Sequence, residues 1–456
     1  MFRSLLTSTK LCCLLLSTTA QTKYIVPGAR WRDTEGNLVN AHAGSVVLNQ
    51  GTFWLFGEHK TEGQEEGGGV SVYSSTDLAT WESHGLALKP IDGHPYISPS
   101  MIIQRPKVVY SFASSDEIQG PYGFVNATAP LGNWSQDFGL FTDWKDGRSY
   151  ALYSNGDSKE GRDVYLASYN QEVSALDEVV HRFDKYDLEA PTIIQTEKSY
   201  YALMSHKTGY RPNNVVAFRA DSLSGPWSQP WIVAPLNTRT FNSQSGFTLR
   251  IQGTNRTTYL YLGDQWDSNS LWESRYIWLP IEIDDRKRTL EVKWHDVYDL
   301  QVQTGEWSTV KGQTYGQQNA TTSGNAFKQE ANFADDGTIL TGIYGNDSTV
   351  TFHEIEGTGK PQWVSFYYQN ADDMGFGDQR GAWQLRRISS VVVNGDTENV
   401  ETLYQRDTHK GIILSTPLQL TLKKGRQNTI TVGGLFNGFD YKGADLEKIV
   451  VYPPEE

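Results

Sequence analysis

Three segments of the chain close in the same way. Asp77-Leu78-Ala79-Thr80-Trp81, Pro130-Leu131-Gly132-Asn133-Trp134 and Ser222-Leu223-Ser224-Gly225-Pro226-Trp227 each follow a strand-like run and end in tryptophan. The first two tryptophans stand 53 residues apart and the next pair 93, close to two further units. A recurring unit of roughly 45–55 residues built from about four short strands marks a β-propeller blade, which cannot bury its faces alone and packs around a common axis. The intervening runs are short and rich in aromatic or alternating residues, as in Thr52-Phe53-Trp54-Leu55-Phe56, Val70-Ser71-Val72-Tyr73, Tyr150-Ala151-Leu152-Tyr153 and Tyr200-Tyr201-Ala202-Leu203-Met204. One weak helical window lies near Val173 to Val180. The chain is therefore expected to be all-β, with five or six blades; a β-sandwich with coincidental Leu…Trp turns is the alternative.

After Trp307 tryptophan thins out and strands of another style appear, among them Thr349-Val350-Thr351-Phe352, Trp363-Val364-Ser365-Phe366-Tyr367-Tyr368 and Lys448-Ile449-Val450-Val451-Tyr452. These suit a jelly-roll-like β-sandwich. The expected division is a leader over 1–20, a propeller over 21–311 and a sandwich over 312–456. No Pro/Gly/Ser-rich linker separates the halves, so they should pack directly.

Met1 to Ala20 has Arg3 and Lys10, the apolar run Leu11-Cys12-Cys13-Leu14-Leu15-Leu16 and a small-residue end at Thr18-Thr19-Ala20, the pattern of a secretory signal peptide cleaved before Gln21. Cleavage removes both cysteines and takes the formal charge from −13 to −15. No thiol or disulfide chemistry is left, and the chain is long enough to hold a core without it. Five sequons, at Asn126, Asn133, Asn255, Asn319 and Asn346, are compatible with a eukaryotic secretory route. The acidic balance argues against nucleic acid and anionic membranes as partners. No later run reaches the ~18 apolar residues of a membrane span. An extracellular monomer is expected. The load of 14 Trp, 24 Tyr and 18 Phe fits stacking on a neutral hydroxylated ligand, though aromatics also simply fill β cores.

A propeller gathers strand ends around its axis, where acidic side chains from different blades can meet. Cleaving a glycosidic bond with inversion needs an acid on the leaving oxygen and a group that activates water on the other face, about 6.5–9.5 Å away. The best isolated carboxylate is Glu189 in Leu188-Glu189-Ala190-Pro191, because Pro191 holds Ala190 extended and fixes the direction of Glu189. Asp137 and Glu58 are similar, whereas Asp143 and Asp146 read as parts of a turn. Singly, each reads more readily as an ordinary structural carboxylate.

Ordered matches run through most of the chain: Ala41-His42-Ala43-Gly44, Phe53-Trp54-Leu55-Phe56-Gly57-Glu58, Arg105-Pro106-Lys107-Val108, Leu188-Glu189-Ala190-Pro191, Ser205-His206-Lys207-Thr208-Gly209, Ser243-Gln244, Gly263-Asp264-Gln265-Trp266 and Gly443-Ala444-Asp445-Leu446. With them the chain resembles glycoside hydrolase family 43, in its fungal exo-β-1,3-galactanase branch. That branch is a five-bladed propeller followed by a carbohydrate-binding module of family 35. The resemblance implies hydrolysis of β-1,3-galactan or arabinogalactan side chains from the non-reducing end. It makes Glu189 the general acid and Asp137 the aspartate that tunes and orients it. The aspartate base found in most of the family is missing around Asn40-Ala41-His42, and the resemblance gives its role to Gln244, as an imidic tautomer. It assigns Glu58, Gln104, His42, Arg105, His206 and Trp266 to substrate binding.

Two departures stand out. Gln104 occupies a place where the branch has glutamate, which opens a second reading, a weakly active or non-catalytic galactan-binding protein. The second domain has Tyr315-Gly316-Gln317-Gln318 where the module has Tyr-Glu-x-Glu, with Asp445 retained. Loss of two carboxylates weakens the calcium site that the resemblance implies, so no cofactor is expected. Trp383 and Tyr368 are sugar platforms or sandwich core. An arabinose- or xylose-releasing enzyme is disfavoured by the missing aspartate.

Overall fold

The computed structural model describes residues 23–63, 67–100, 111–127, 129–132, 135, 137–155, 163–172, 174–372 and 386–456. The leader, Gln104, Arg105, Asn133, Trp134 and Trp383 lie outside the described residues.

Four antiparallel sheets of four strands succeed one another along the chain. The first runs through His42–Asn49, Thr52–Lys60, Gly67–Ser75 and Glu82–Leu88, and the second through Phe138–Thr142, Ser149–Ser154, Val164–Tyr169 and Leu176–Phe183. The third comprises Leu188–Gln195, Tyr200–His206, Val215–Ala220 and Trp231–Ile232, and the fourth Gln244–Gln252, Thr257–Gln265, Arg275–Asp284 and Thr289–Val292. Leu176–Phe183 pairs with Val164–Tyr169, so the helical window expected near Val180 is a strand. The edge position of this strand explains the weak signal, since only part of one face is covered.

The first strand of each sheet is the innermost. Gln244–Gln252 packs against both His42–Asn49 and Leu188–Gln195, and the latter packs against Phe138–Thr142. The fourth sheet thus meets the first, so the inner strands succeed one another in the order second, third, fourth, first sheet, the arrangement of a propeller. A hairpin of Ser111–Ser114 and Gly123–Ala127 falls between the first and second sheets in sequence. Residues 101–110, on which a fifth blade depends, are outside the described residues. Close approach of neighbouring backbone demands glycine: a Cβ on Gly139, in an inner strand, would stand 2.2 Å from the Pro191 carbonyl oxygen of the next, and one on Gly57 2.1 Å from that of Ala41. Of the repeated tryptophans, Trp81 is fully buried edge-on against Trp278, and Trp227 packs on Phe183.

Tyr24–Ile25, Tyr298–Gln301 and Glu306–Thr309 pair as a three-stranded sheet, and the described residues from Gln313 onward form two further sheets. One contains Phe327–Glu330, Thr338–Thr341, Asp445–Val451, Pro361–Gln369 and Leu414–Thr421, with Gln313–Tyr315 beside Asp445–Val451; the other contains Ala320–Thr322, Val350–Gly357, Gly425–Leu435, Arg386–Val393 and Glu401–Arg406. They enclose a single core that includes Phe352, Phe366, Tyr368, Val391, Leu446 and Ile449. Tyr368 is therefore core. The two halves share a smaller core of Val26, Ala29, Val297, Val450 and Tyr452. Their connection is tight, since a Cβ on Gly312 would lie 2.5 Å from Val450 Cγ1. Asp296 accepts hydrogen bonds from Tyr367, Ser415 and Tyr452 across the junction.

Candidate active site

Three inner strands carry a bulge just after their first residues. The register shifts between His42 and Ser45, between Glu189 and Thr192, and between Ser245 and Phe247. A bulge re-aims the side chains beside it and ends regular pairing. In two of them an alanine takes left-handed backbone, with φ +47 at Ala43 and φ +57 at Ala190, at a cost of about 1–2 kcal/mol each. The extended conformation expected for Ala190 before Pro191 is thus replaced by left-handed backbone in a bulge directly after Glu189, which itself stays paired with Ser205.

Glu189, Gln244 and Trp266 form one hydrogen-bonded chain. The Gln244 amide Nε2 donates to Glu189 Oε1 at 2.7 Å, and the Trp266 indole Nε1 donates to Gln244 Oε1 at 3.0 Å. All three side chains are buried. Asp137 enters from the second sheet. Its Oδ2 accepts the Ala190 backbone N–H at 3.0 Å, and its own N–H donates to Ser154 Oγ at 3.2 Å. Ser245 Oγ donates to the Ala190 carbonyl at 2.8 Å, so the residue after Glu189 is held at both its N–H and its carbonyl. Asp137 therefore acts on the backbone that aims Glu189.

His42 is fully buried, lying flat on Tyr276 at 5.2 Å and near Trp266 at 5.9 Å. Its Nδ1 is 3.6 Å from Asp264 Oδ1. Asp264 pairs in register with Gln244, and His42 with Glu58, which ties the first and fourth sheets into one site. Glu58 is buried and ion-paired with Lys60 at 2.6 Å. Burial pushes the Lys60 ammonium down, and the Glu58 carboxylate more than reverses this, so its pKa is raised. Lys60 was not singled out from the sequence, although two residues along a strand from Glu58 it lies on the same face. His206 ends the strand opposite Leu188, half-buried, and its pKa is lowered by burial against the opposing pull of Asp187. Asp143 is buried elsewhere, accepting hydrogen bonds at 2.6 Å from Gln195 Nε2 and from the Tyr200 hydroxyl, a structural tie as its turn pattern implied.

The segment leading into Gln244 is unusual. Arg239, Thr240, Phe241 and Asn242 have φ of +52, +51, +59 and +56, one turn of left-handed helix without glycine. At about 1–2 kcal/mol per residue, such a turn persists only where its surroundings over-determine it. Thr240 Oγ1 accepts the Val215 N–H at 2.9 Å. The strongest hold comes from the second domain. Asp407, 1% exposed, accepts Arg239 Nη1 at 2.9 Å on its carboxylate, and its carbonyl accepts Arg239 Nη2 at 2.6 Å and Asn242 Nδ2 at 2.7 Å. Arg211 joins the same carboxylate at 2.6 Å. Next to Asp407, Arg406 Nη1 donates to Gln265 Oε1 at 3.0 Å, one residue before Trp266.

The donor set implied for calcium does not suit that ion. Gln317 and Gln318 offer neutral amides, the Lys328 ammonium donates to the Gln317 carbonyl at 2.5 Å, and Asp445 is engaged by the Thr341 hydroxyl at 2.5 Å. No group of three or more metal-ligating side chains occurs among the described residues.

The sequence pattern of the glycosyl hydrolases family 43 matches residues 41–266. The exo-β-1,3-galactanase of Phanerochaete chrysosporium, solved with galactose, is 30% identical, with a TM-score of 0.83 over 94% of this chain and 100% of that one. A form of the same enzyme with one glutamate changed to alanine and β-1,3-galactotriose bound gives a TM-score of 0.82 at 30% identity over the same shares. A family 43 β-1,3-galactosidase with galactodeoxynojirimycin is 28% identical, with a TM-score of 0.53 over 60% of this chain and 99% of that one. No curated protein sequence matches the chain.

Proposed function

Because the chain belongs to glycosyl hydrolases family 43, we propose that it is a secreted glycosidase that removes galactose from the non-reducing end of β-1,3-galactan with inversion. The observation that carries this reading is the Trp266–Gln244–Glu189 chain held against Asp137. An indole N–H has no acceptor capacity, so it fixes the amide with oxygen toward Trp266 and nitrogen toward Glu189. Glu189, its Oε1 held by that amide, is the acid that carries the proton to the leaving group. Asp137 holds the Ala190 peptide and with it the angle of delivery.

Gln244 sits beside the acid rather than across from it. Inversion needs the water on the far face of the sugar, so a seated galactose must part Gln244 from Glu189 and leave Nε2 free to hold that water. The donor-only indole keeps Gln244 in the amide form until this happens. Glu58 with Lys60, and His206 opposite Leu188, supply polar groups for sugar hydroxyls; His42 is fully buried on Tyr276. The leader supports secretion, and Asn126, Asn255 and Asn346 are exposed as glycan acceptors should be, with Asn319 half-buried.

Incubation with β-1,3-galactobiose should release galactose, first as the α-anomer by NMR. Glu189→Gln should cut the rate by about 10²–10⁴-fold with little change in melting temperature. Binding of β-1,3-galactan without any release would overturn the enzyme reading in favour of a binding protein, the alternative that Gln104 raises.

A further inference from the structure

We infer that Asp407 of the second domain is a positioning residue for Gln244, acting through the left-handed turn Arg239–Asn242. The inference rests on the reading of Gln244 as part of the catalytic set. Its observations are independent of that reading. The turn enters Gln244 directly, since only Ser243 separates them. Left-handed backbone at four consecutive residues that carry Cβ atoms has no local cause, so something must hold it. Within the turn's own domain Thr240 and Ser243 anchor its middle, Ser243 Oγ donating to the Thr240 carbonyl at 2.6 Å. Its two ends, Arg239 and Asn242, are both fastened to Asp407.

The fastening is specific in its chemistry. Arg239 is 6% exposed and spans carboxylate and carbonyl of one residue, so guanidinium and peptide are locked as a pair. Neighbouring Arg406 reaches Gln265, beside Trp266, the other residue that fixes the Gln244 amide. One dipeptide of the second domain therefore holds both approaches to the amide. If that dipeptide lets go, the turn can relax to right-handed or extended backbone, and Gln244 shifts relative to Glu189. Displacement of a reacting group by about 1 Å is enough to cost up to 10²-fold in rate.

The test uses the full chain. Asp407→Ala should lower kcat on β-1,3-galactobiose by about tenfold or more with KM within about twofold, and should speed amide hydrogen exchange over residues 239–246. Asp407→Asn, which keeps an oxygen for the guanidinium, should restore part of kcat. Tyr367→Phe removes a different hydrogen bond across the junction, to Asp296, and should lower the melting temperature with kcat intact. Should Asp407→Ala fail to fold, Asn242→Ala removes one bond to the Asp407 carbonyl and carries the same readouts. Wild-type kcat and exchange over 239–246 in Asp407→Ala, with only a lowered melting temperature, would overturn the inference. If the wild type lacks galactobiose turnover, the function proposed above fails, while the exchange measurement still decides the clamp.

Discussion

Trp266 matters because an indole nitrogen donates and never accepts. Replacing it by phenylalanine keeps a ring beside Tyr210 and His42 but frees the Gln244 amide to flip. A neutral hydrogen bond contributes about 1 kcal/mol, so Trp266→Phe should lower kcat/KM about fivefold while a thermal melt moves little. Glu189 was visible in the sequence through its neighbours: the Ala190-Pro191 pair marked it as an aimed carboxylate. The mode of aiming was not visible, because positive φ at alanine follows from packing against Asp137 and Ser245, residues 53 and 55 positions away. Lys60 is legible from strand alternation, two residues from Glu58 on the same face. Asp407 was not legible at all, since nothing near it in sequence reports that its partners are Arg239 and Asn242.

At the scale of strands, alternation and aromatic runs located central blade strands such as Thr52–Lys60, Gly67–Ser75, Ser149–Ser154 and Tyr200–His206, and did not mark inner ones such as His42–Asn49 and Gln244–Gln252 or the partly covered edge strand Leu176–Phe183. Bulges escape such reading because they change register without changing residue type. The inner strands touch at glycine, which gives a sharp expectation for Gly139→Ala. The new methyl would meet the Pro191 carbonyl, pushing Phe138–Thr142 off Leu188–Gln195. Overpacking of this kind costs about 1–3 kcal/mol, so the urea midpoint should fall with the m-value unchanged, and activity should fall with it, since Asp137 and Glu189 ride on those strands. In the second domain, amides and Lys328 around Gln317 leave a cation poorly served. A chelator should therefore leave its melting temperature in place. A fall beyond about 2–4 °C, the shift of roughly 1 kcal/mol in a domain of this size, would show a bound ion.

The whole molecule should lose stability on mild acidification. His59, His181, His206 and His295 all have pKa values lowered from the ordinary 6.5 by burial. Below pH 6.5 the unfolded chain takes up protons that the folded chain refuses, so stability rises with pH across this window and is lost as pH falls through it. Melting temperatures measured between pH 7 and about 5 should decline, before any carboxylate with a lowered pKa, such as Asp440, begins to protonate. The division into two β domains was legible from the change in tryptophan and strand style. Their direct packing was legible in the missing linker, but the residues that make this union were not, because the contacts join positions far apart in sequence. That union has a further consequence. Where a tether would let a second sugar site roam, the peptide at Gly312 is wedged against Val450 and Tyr452. Should the sandwich grip the same polysaccharide, the pair becomes a ruler of fixed length. Affinity would then step up at one oligosaccharide length instead of climbing smoothly with it.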